Sequence, residues 1–285
     1  MSITYHAPAS WDEARTLLAE HGDDATVVAG GTAFTLLLRQ GLIRPGHVVG
    51  LQRVPHASRI DVDAHGGIAI GAMTTHTSLE HADAIRRTWP ELADAVAKVA
   101  TVRVRNQATI GGSLAHADPA SDAPVMLAAL AAQALVVGED GAHRVPVDEL
   151  LVDTFTTSLL PTEVIRAVEV PARTPATRAV YLKYTLRSVD DYATVSVAAR
   201  ADMNDGRFDA LRIFLGGVGP RPMRAVSVDR ALTGQAADEA LIADAVPLVD
   251  DDIDPIDDVR GSAAYKREMA RVFTQRALTA LGRMA

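Results

Sequence analysis

The sequence predicts an α+β protein of two domains. In the first half, short strands run into doubled-glycine turns and then helices. At 171–178, "PARTPATR" has the proline and polar content of a linker. Beyond it the pattern changes: three long strands come first and helices follow, the mark of an α+β domain. With 285 residues the chain can bury two separate cores. The boundaries expected are 1–174 for the first domain, with subdomains of about 1–55 and 56–174, and 175–285 for the second.

The elements follow in order. A strand at Ile3 to Tyr5 leads into a helix whose start carries the capping-box pair Ser10 and Glu13. Trp11, Ala14, Leu17 and Leu18 give that helix one apolar face. Next come a strand through Val27 and Val28, a turn at Gly30-Gly31, a helix from about Thr32, and a strand near His47 to Val49. "SRIDVDAHGGIAIGAMTT" reads as a hairpin turning near His65-Gly66. Thr77 and Glu80 repeat the capping spacing before a short helix, and Pro90 opens another toward Val99. The apolar run Ala123 to Val137 is too short to span a bilayer and reads as a buried helix followed by a strand. Strands flank Asp140-Gly141, and "VIRAVEVP" is a strand ended by Pro171. In the second domain, strands are expected at Ala179 to Arg187, Ala193 to Asp202 and Phe208 to Gly216, with a turn at Asn204-Asp205-Gly206. A helix from about Ser262 to Leu281 ends the chain, after "VDDDIDPIDD", which reads as a solvated charged loop.

Composition excludes several functions. The net charge is −8 with no dense basic stripe, which argues against nucleic acid and anionic membranes as partners. The start shows no basic-then-apolar signal, so the cytoplasm is the expected compartment, with no transmembrane segment. There is no cysteine, so disulfides, thiolate metal sites and Cys-ligated iron–sulfur clusters are excluded, and redox chemistry here would need an organic cofactor. The nine histidines are scattered without a His-x-x-x-His pair, and no metal site is expected. His116 and Asp118 invite a triad or metal reading, but no serine elbow accompanies them. They, and His76 and His81, read as hydrogen-bonded loop residues.

The two glycine pairs, Gly30-Gly31 in "VVAGGTAF" and Gly111-Gly112 in "TIGGS", are the candidate anion turns. Glycine admits positive φ and close backbone approach, and successive N–H groups can cradle a phosphate. The hydroxyls of Thr32, Thr109 and Ser113 can add donors. Either pair alone is equally a tight turn in a β-rich fold. Gly217-Val218-Gly219 is followed at once by Pro220 and Pro222, so no dinucleotide helix starts there.

Taken together, "YHAPASWDEARTLL", "VVAGGTAFTLLLRQG", "IAIGAMTTH", "VRVRNQATIGGSLAHADPASD", "TEVIRAVEVP", "YLKYTLRSVDDYATVSVAA" and "GSAAYKREMARVFTQRAL" occur in an order that resembles the FAD-binding medium subunit of molybdenum hydroxylases, the carbon monoxide dehydrogenase and xanthine dehydrogenase family of flavoprotein subunits. The resemblance covers nearly the whole chain. It implies a two-subdomain FAD-binding domain of the vanillyl-alcohol oxidase (PCMH) type, followed by an α+β domain with a three-stranded antiparallel sheet and helices. It places the FAD pyrophosphate on Ala29, Gly30, Gly31, Thr32, Ala33 and Phe34, preceded by Val27 and Val28, and on Thr109, Ile110, Gly111, Gly112 and Ser113. It puts Asp122 on the ribityl chain, Ile165 in apolar contact with the flavin, Lys183 near it, and Tyr192 beside the isoalloxazine. On residue type alone, Asp122 could cap a helix, Ile165 could be core and Tyr192 an ordinary strand aromatic.

The resemblance also implies partners: a large subunit with the molybdenum cofactor and a small subunit with [2Fe-2S] clusters, assembled as a dimer of heterotrimers. Electrons would pass from those clusters through FAD to an external acceptor, NAD+, oxygen or a quinone. The alternatives are a self-contained FAD-dependent oxidoreductase and a flavin-free scaffold subunit. Two departures argue against the carbon monoxide enzyme itself. "AGGTAF" lacks the histidine-serine pair after its glycines, and Gly50 stands where an aspartate is usual. The lack of cysteine sets the chain apart from the benzoyl-CoA reductase branch.

Overall fold

The computed structural model describes residues 3–284. A small parallel sheet comes first. Its strands Thr4–His6 and Ala25–Val28 both pair with His47–Gly50, which lies between them. Helix Trp11–His21 starts as expected: the Ser10 hydroxyl accepts from the Glu13 N–H at 3.1 Å, and the Glu13 carboxylate accepts from the Ala9 N–H at 2.7 Å. Ala14 and Leu18 then bury against Val49 and Leu51. The first strand lies one residue later than expected.

An antiparallel five-stranded sheet follows, ordered Ile60–Val62, Ile68–Gly71, Val164–Val170, Gln133–Gly138 and Gly141–Pro146. The expected hairpin turns at Gly66, where φ is 87° and Asp63 Oδ1 accepts from the N–H groups of His65 and Gly67. The next cap differs from expectation. Thr75, not Thr77, caps helix His76–His81, accepting from the Ser78 N–H, while the Thr77 hydroxyl donates to Asn106. The helix opened by Pro90 ends at Ala97.

The second half is built on an antiparallel sheet of Thr177–Tyr184, Val195–Asn204, Arg207–Gly216 and Met223–Arg224. The three expected long strands are present, and the two-residue strand at the edge is an addition. Helix Ala263–Arg283, capped by Ser262, packs on this sheet. The acidic run before it is not merely solvated. Asp250 pairs with Arg271, Asp252 accepts from the Ser227 N–H, and Asp258 holds the buried Lys266 ammonium at 2.9 Å. Asp250 and Asp258 pin the last helix to the acidic segment before it through charge-assisted bonds.

Between the two larger sheets lies helix Asp122–Ala129, every residue of which is buried. Apart from Asp122 the helix is apolar all round, and such a helix has no solvent face because every side is covered. One core cluster therefore runs from Ile68, Ile70 and Leu92 through Val125 and Met126 to Ala179, Tyr181 and Phe214. Trp89 sits in that core, fully buried. Its indole N–H donates to the Pro171 carbonyl at 3.0 Å, and the Arg173 guanidinium lies 5.2 Å from its ring centroid. The segment expected as a linker is thus tied down where it leaves the second sheet.

Replacing Trp89 by Phe should keep the fold but strand the Pro171 carbonyl, lowering the unfolding free energy by about 1–3 kcal/mol. Urea denaturation followed by circular dichroism reads this directly.

Candidate functional site

The two glycine turns, about eighty positions apart by sequence, meet in space. A side chain on Gly30 would lie 1.8 Å from the Gln107 carbonyl oxygen, so the backbone of the first turn rests on the approach to the second. A side chain on Gly112 would fall 3.5 Å from the Ala29 β-carbon. Gly31 adopts φ 72° as the residue preceding helix Thr32–Arg39, and no side chain caps that helix. Among the described residues, the N–H groups of Thr32, Ala33 and Phe34 have no protein acceptor. These residues are half-buried and follow strand residues Val27 and Val28. These free donors lie at the positive end of the helix.

The second turn differs from the expected cradle. It is the first turn of helix Ile110–His116, and its donors are spent inside the protein. The Ile110 N–H donates to the Thr74 carbonyl, Gly111 to Ala72, Gly112 to the Thr109 hydroxyl at 3.0 Å, and Ser113 to the Thr109 carbonyl. Gly111 is buried, and a side chain there would strike Ala72 at 2.5 Å. The first turn therefore offers backbone donors, and the second offers shape.

Ser113 adds a directed hydroxyl. His76 was expected as a loop histidine, but it begins a helix, is fully buried, and its Nε2 lies 2.8 Å from Ser113 Oγ. Burial, with the Arg105 charge adding to it, pushes its pKa down from 6.5 to about 4, so the ring is neutral. Its Nδ1 has no partner. A buried N–H without an acceptor costs more than an unused lone pair, which assigns the proton to Nε2. His76 then donates to Ser113 Oγ, and the serine's own proton stays free to point outward.

Asp122 and Lys183 come together, but toward each other. The buried Asp122 accepts from the Tyr181 hydroxyl at 2.5 Å on one oxygen and from Lys183 Nζ at 3.0 Å on the other. Lys183 also donates to the Lys98 carbonyl at 2.7 Å. Both charged side chains are 4% exposed. Burial raises the Asp122 pKa, against the pull of Lys183 and the two hydrogen bonds, and burial and Asp122 together lift Tyr181 well above its ordinary range. Asp122 does not cap its helix through its side chain; it joins the helix to strand Thr177–Tyr184. Removing one partner would leave the other charged and unpaired, a loss of about 3–5 kcal/mol.

The remaining expected residues lie apart from these groups in different ways. Ile165 is a core residue opposite Val136, on a strand that packs beneath helix Ile110–His116. Tyr192 is half-exposed on the loop between the first two strands of the last sheet, with the Arg260 guanidinium 6.0 Å from its ring centroid. Partial burial, reinforced by Asp118, pushes its hydroxyl up to about 12. His116 stacks on Phe155 rather than on Asp118, whose carboxylate accepts from the Ala120 N–H. Sequence reasoning gave no role to Lys98, or to Tyr181, although Tyr181 opens the run "YLKYTL".

Gly50 also has a local reason. A side chain there would lie 2.0 Å from the Tyr5 hydroxyl. That hydroxyl donates to Gln52, whose amide donates to the Ala29 carbonyl at 2.8 Å. A tyrosine-glutamine relay therefore ends on the first glycine turn.

Comparison with known proteins bears on the fold and the family. Residues 1–173 match the family described as FAD binding domain in molybdopterin dehydrogenase, and 180–281 match the CO dehydrogenase flavoprotein C-terminal domain. The chain is 35% identical over 97% of its length to the 6-hydroxypseudooxynicotine dehydrogenase complex subunit alpha of Paenarthrobacter nicotinovorans, covering 93% of that protein. It superposes with TM-score 0.95 and 33% identity, covering 98% of this chain and 97% of the other, on a chain of the carbon monoxide dehydrogenase from Hydrogenophaga pseudoflava that lacks the Mo-pyranopterin moiety of its molybdenum cofactor. A chain of quinoline 2-oxidoreductase from Pseudomonas putida 86 matches with TM-score 0.92 and 33% identity, over 100% of this chain and 98% of that one.

Two outcomes follow. Gly30→Ala should push the turns apart, at a cost of about 3 kcal/mol by thermal or urea unfolding. His76 gives a pH signature. Between 6.5 and about 4 the unfolded chain binds a proton that the native ring refuses, so wild-type stability falls as pH drops through that window. His76→Gln lacks this dependence. Its stability gap to wild type should therefore shrink on acidification, by on the order of 3 kcal/mol across the window.

Proposed function

The chain belongs to the family of FAD-binding domains of molybdopterin dehydrogenases, and from that premise we propose that it is the electron-transfer subunit of a molybdenum hydroxylase complex. The observation that supports this most is the pairing of an open helix terminus at Thr32–Phe34 with the side-chain-free surface of Gly112. A pyrophosphate fits such a site because it presents anionic oxygens to several N–H donors and needs close backbone approach. Bound FAD supplies the redox centre, which the protein itself lacks without cysteine or metal clusters.

The chain's own residues hold and orient that group. Ala29 to Phe34 contribute backbone donors at the end of strand residues Val27 and Val28, and Thr109 to Ser113 contribute the facing wall. Ser113, aligned by His76, adds a hydroxyl donor. Asp122 is committed to Tyr181 and Lys183, so its proposed contact with the ribityl chain is confined to the 4% of its side chain that stays exposed. Lys183, held by Asp122 and the Lys98 carbonyl, keeps a positive charge near the ring system. Ile165 underlies the apolar side, and Tyr192 offers an aromatic face from its loop.

The division at 174/175 separates the cofactor-holding part from the part that closes over it. In the complex, a large subunit carries the molybdenum cofactor, a small subunit carries [2Fe-2S] clusters, and two such heterotrimers associate. This chain takes electrons from the clusters and delivers them to NAD+, oxygen or a quinone. Relatives named as medium chains or subunits of dehydrogenases support this assignment.

Gly112→Val tests the cofactor site. A single β-carbon there meets the Thr109 hydroxyl at 3.0 Å, and a branched side chain fills the gap toward Ala29. Purified wild type should carry flavin absorbance, while the variant should be colourless with native circular dichroism. Equal flavin content in both would refute the pyrophosphate assignment. Gly111 is a poorer test, since its variant would also disturb the packing on Ala72.

A further inference from the structure

Away from the glycine turns, the fold gathers His6, His21 and His47. His6 ends the first strand, His21 ends the first helix, and His47 begins the central parallel strand. Register explains the meeting. Thr4 lies opposite His47 and His6 opposite Val49, so His6 and His47 are diagonal neighbours on one face, the face on which helix Trp11–His21 packs.

The three imidazoles form one group. His6 Nε2 lies 2.9 Å from His47 Nδ1. The His21 and His47 rings stack with centroids 3.6 Å apart, and the His6 ring lies 5.2 Å from His21 and 5.1 Å from His47. One ring nitrogen from each falls within 4.8 Å of the others. All three are partly exposed. The backbone beneath them is braced. Asp24, three residues after His21, accepts from the Gly46 N–H at 2.8 Å, and the Gly46 carbonyl accepts from the Thr4 N–H at 2.8 Å.

We propose that His6, His21 and His47 form a binding site for a first-row divalent cation of the zinc and copper class, with water completing the coordination. Imidazole suits these ions, and a three-histidine set leaves a fourth position open. The distances suit the ion. Tetrahedral zinc with Zn–N bonds of about 2.0–2.1 Å holds its nitrogens roughly 3.3–3.4 Å apart. The His6–His47 contact, now bridged by one shared proton, opens by about half an ångström to admit a cation in place of that proton. His21 unstacks by turning about its broad χ2 torsion. Neutral imidazoles are required, so protons compete with the metal at acid pH. The ion would staple the first strand, the first helix and the central strand of the parallel sheet together, independently of flavin.

The test uses the full-length, untagged, flavin-loaded chain, with Co2+ and Zn2+ as probes. Co2+ should bind at one equivalent with the visible spectrum of a four-coordinate site, Zn2+ should displace it, and Zn2+ should raise the melting temperature reversibly with chelator. His21→Gln and His47→Gln should each weaken binding at least tenfold while flavin content and circular dichroism stay at wild-type levels. Absence of stoichiometric Co2+ and Zn2+ binding to wild type would overturn the proposal. So would binding undiminished in both variants, which would place the ion at another of the chain's nine histidines.

Discussion

A carboxylate only 4% exposed joins the two halves of this protein. Asp122 sits at the start of a helix that neither half covers alone, and its two oxygens are taken by Tyr181 and Lys183 from the far sheet. Such a pair contributes little net stability over an apolar substitute, because desolvation offsets most of the attraction. It contributes registration. The tyrosine hydroxyl, the ammonium and the Lys98 carbonyl can all be satisfied in only one relative placement of strand and helix.

The glycine turns work by omission. Gly30 is needed because a backbone carbonyl occupies the space its side chain would fill, and Gly112 because its empty position faces Ala29. The two turns divide labour that a shared motif would conceal. One keeps its N–H groups free, whereas the other satisfies its own and stands rigid, with Ser113 aligned by a buried neutral histidine. On the proposed reading such a pair of turns is preorganised for an anion, since the polar groups are already in place before a ligand arrives.

Local signals in the sequence carried most of the architecture. Ser10 and Glu13, Gly31, Gly66, Gly141 and Ser262 mark ends that the structure reproduces, because caps and turns are decided by a few neighbouring residues. Where two hydroxyls competed, as at Thr75 and Thr77, spacing chose the wrong one; the true cap was decided by how Thr109 bridges to Thr75 across the fold. The acidic run looked solvated because its cations arrive from a later helix. The Asp122 joint and the histidine cluster were illegible for the same reason. Their members are separated by many positions, and only strand register and sheet packing bring them together. The edge strand Met223–Arg224 is too short to show an alternating pattern.

The wholly buried helix Asp122–Ala129 also bears on how the protein is made. Its outer face is covered by strands Val195–Asn204 and Arg207–Gly216, which leave the ribosome well after it. With roughly ninety residues still to be added at about 5–20 per second, the nascent chain displays a helix that is apolar beyond Asp122 for roughly 5–20 s before its cover exists. That interval, rather than the stability of the finished fold, sets the demand for chaperones and the hazard of aggregation during expression. Truncations ending near the linker would make the exposure permanent.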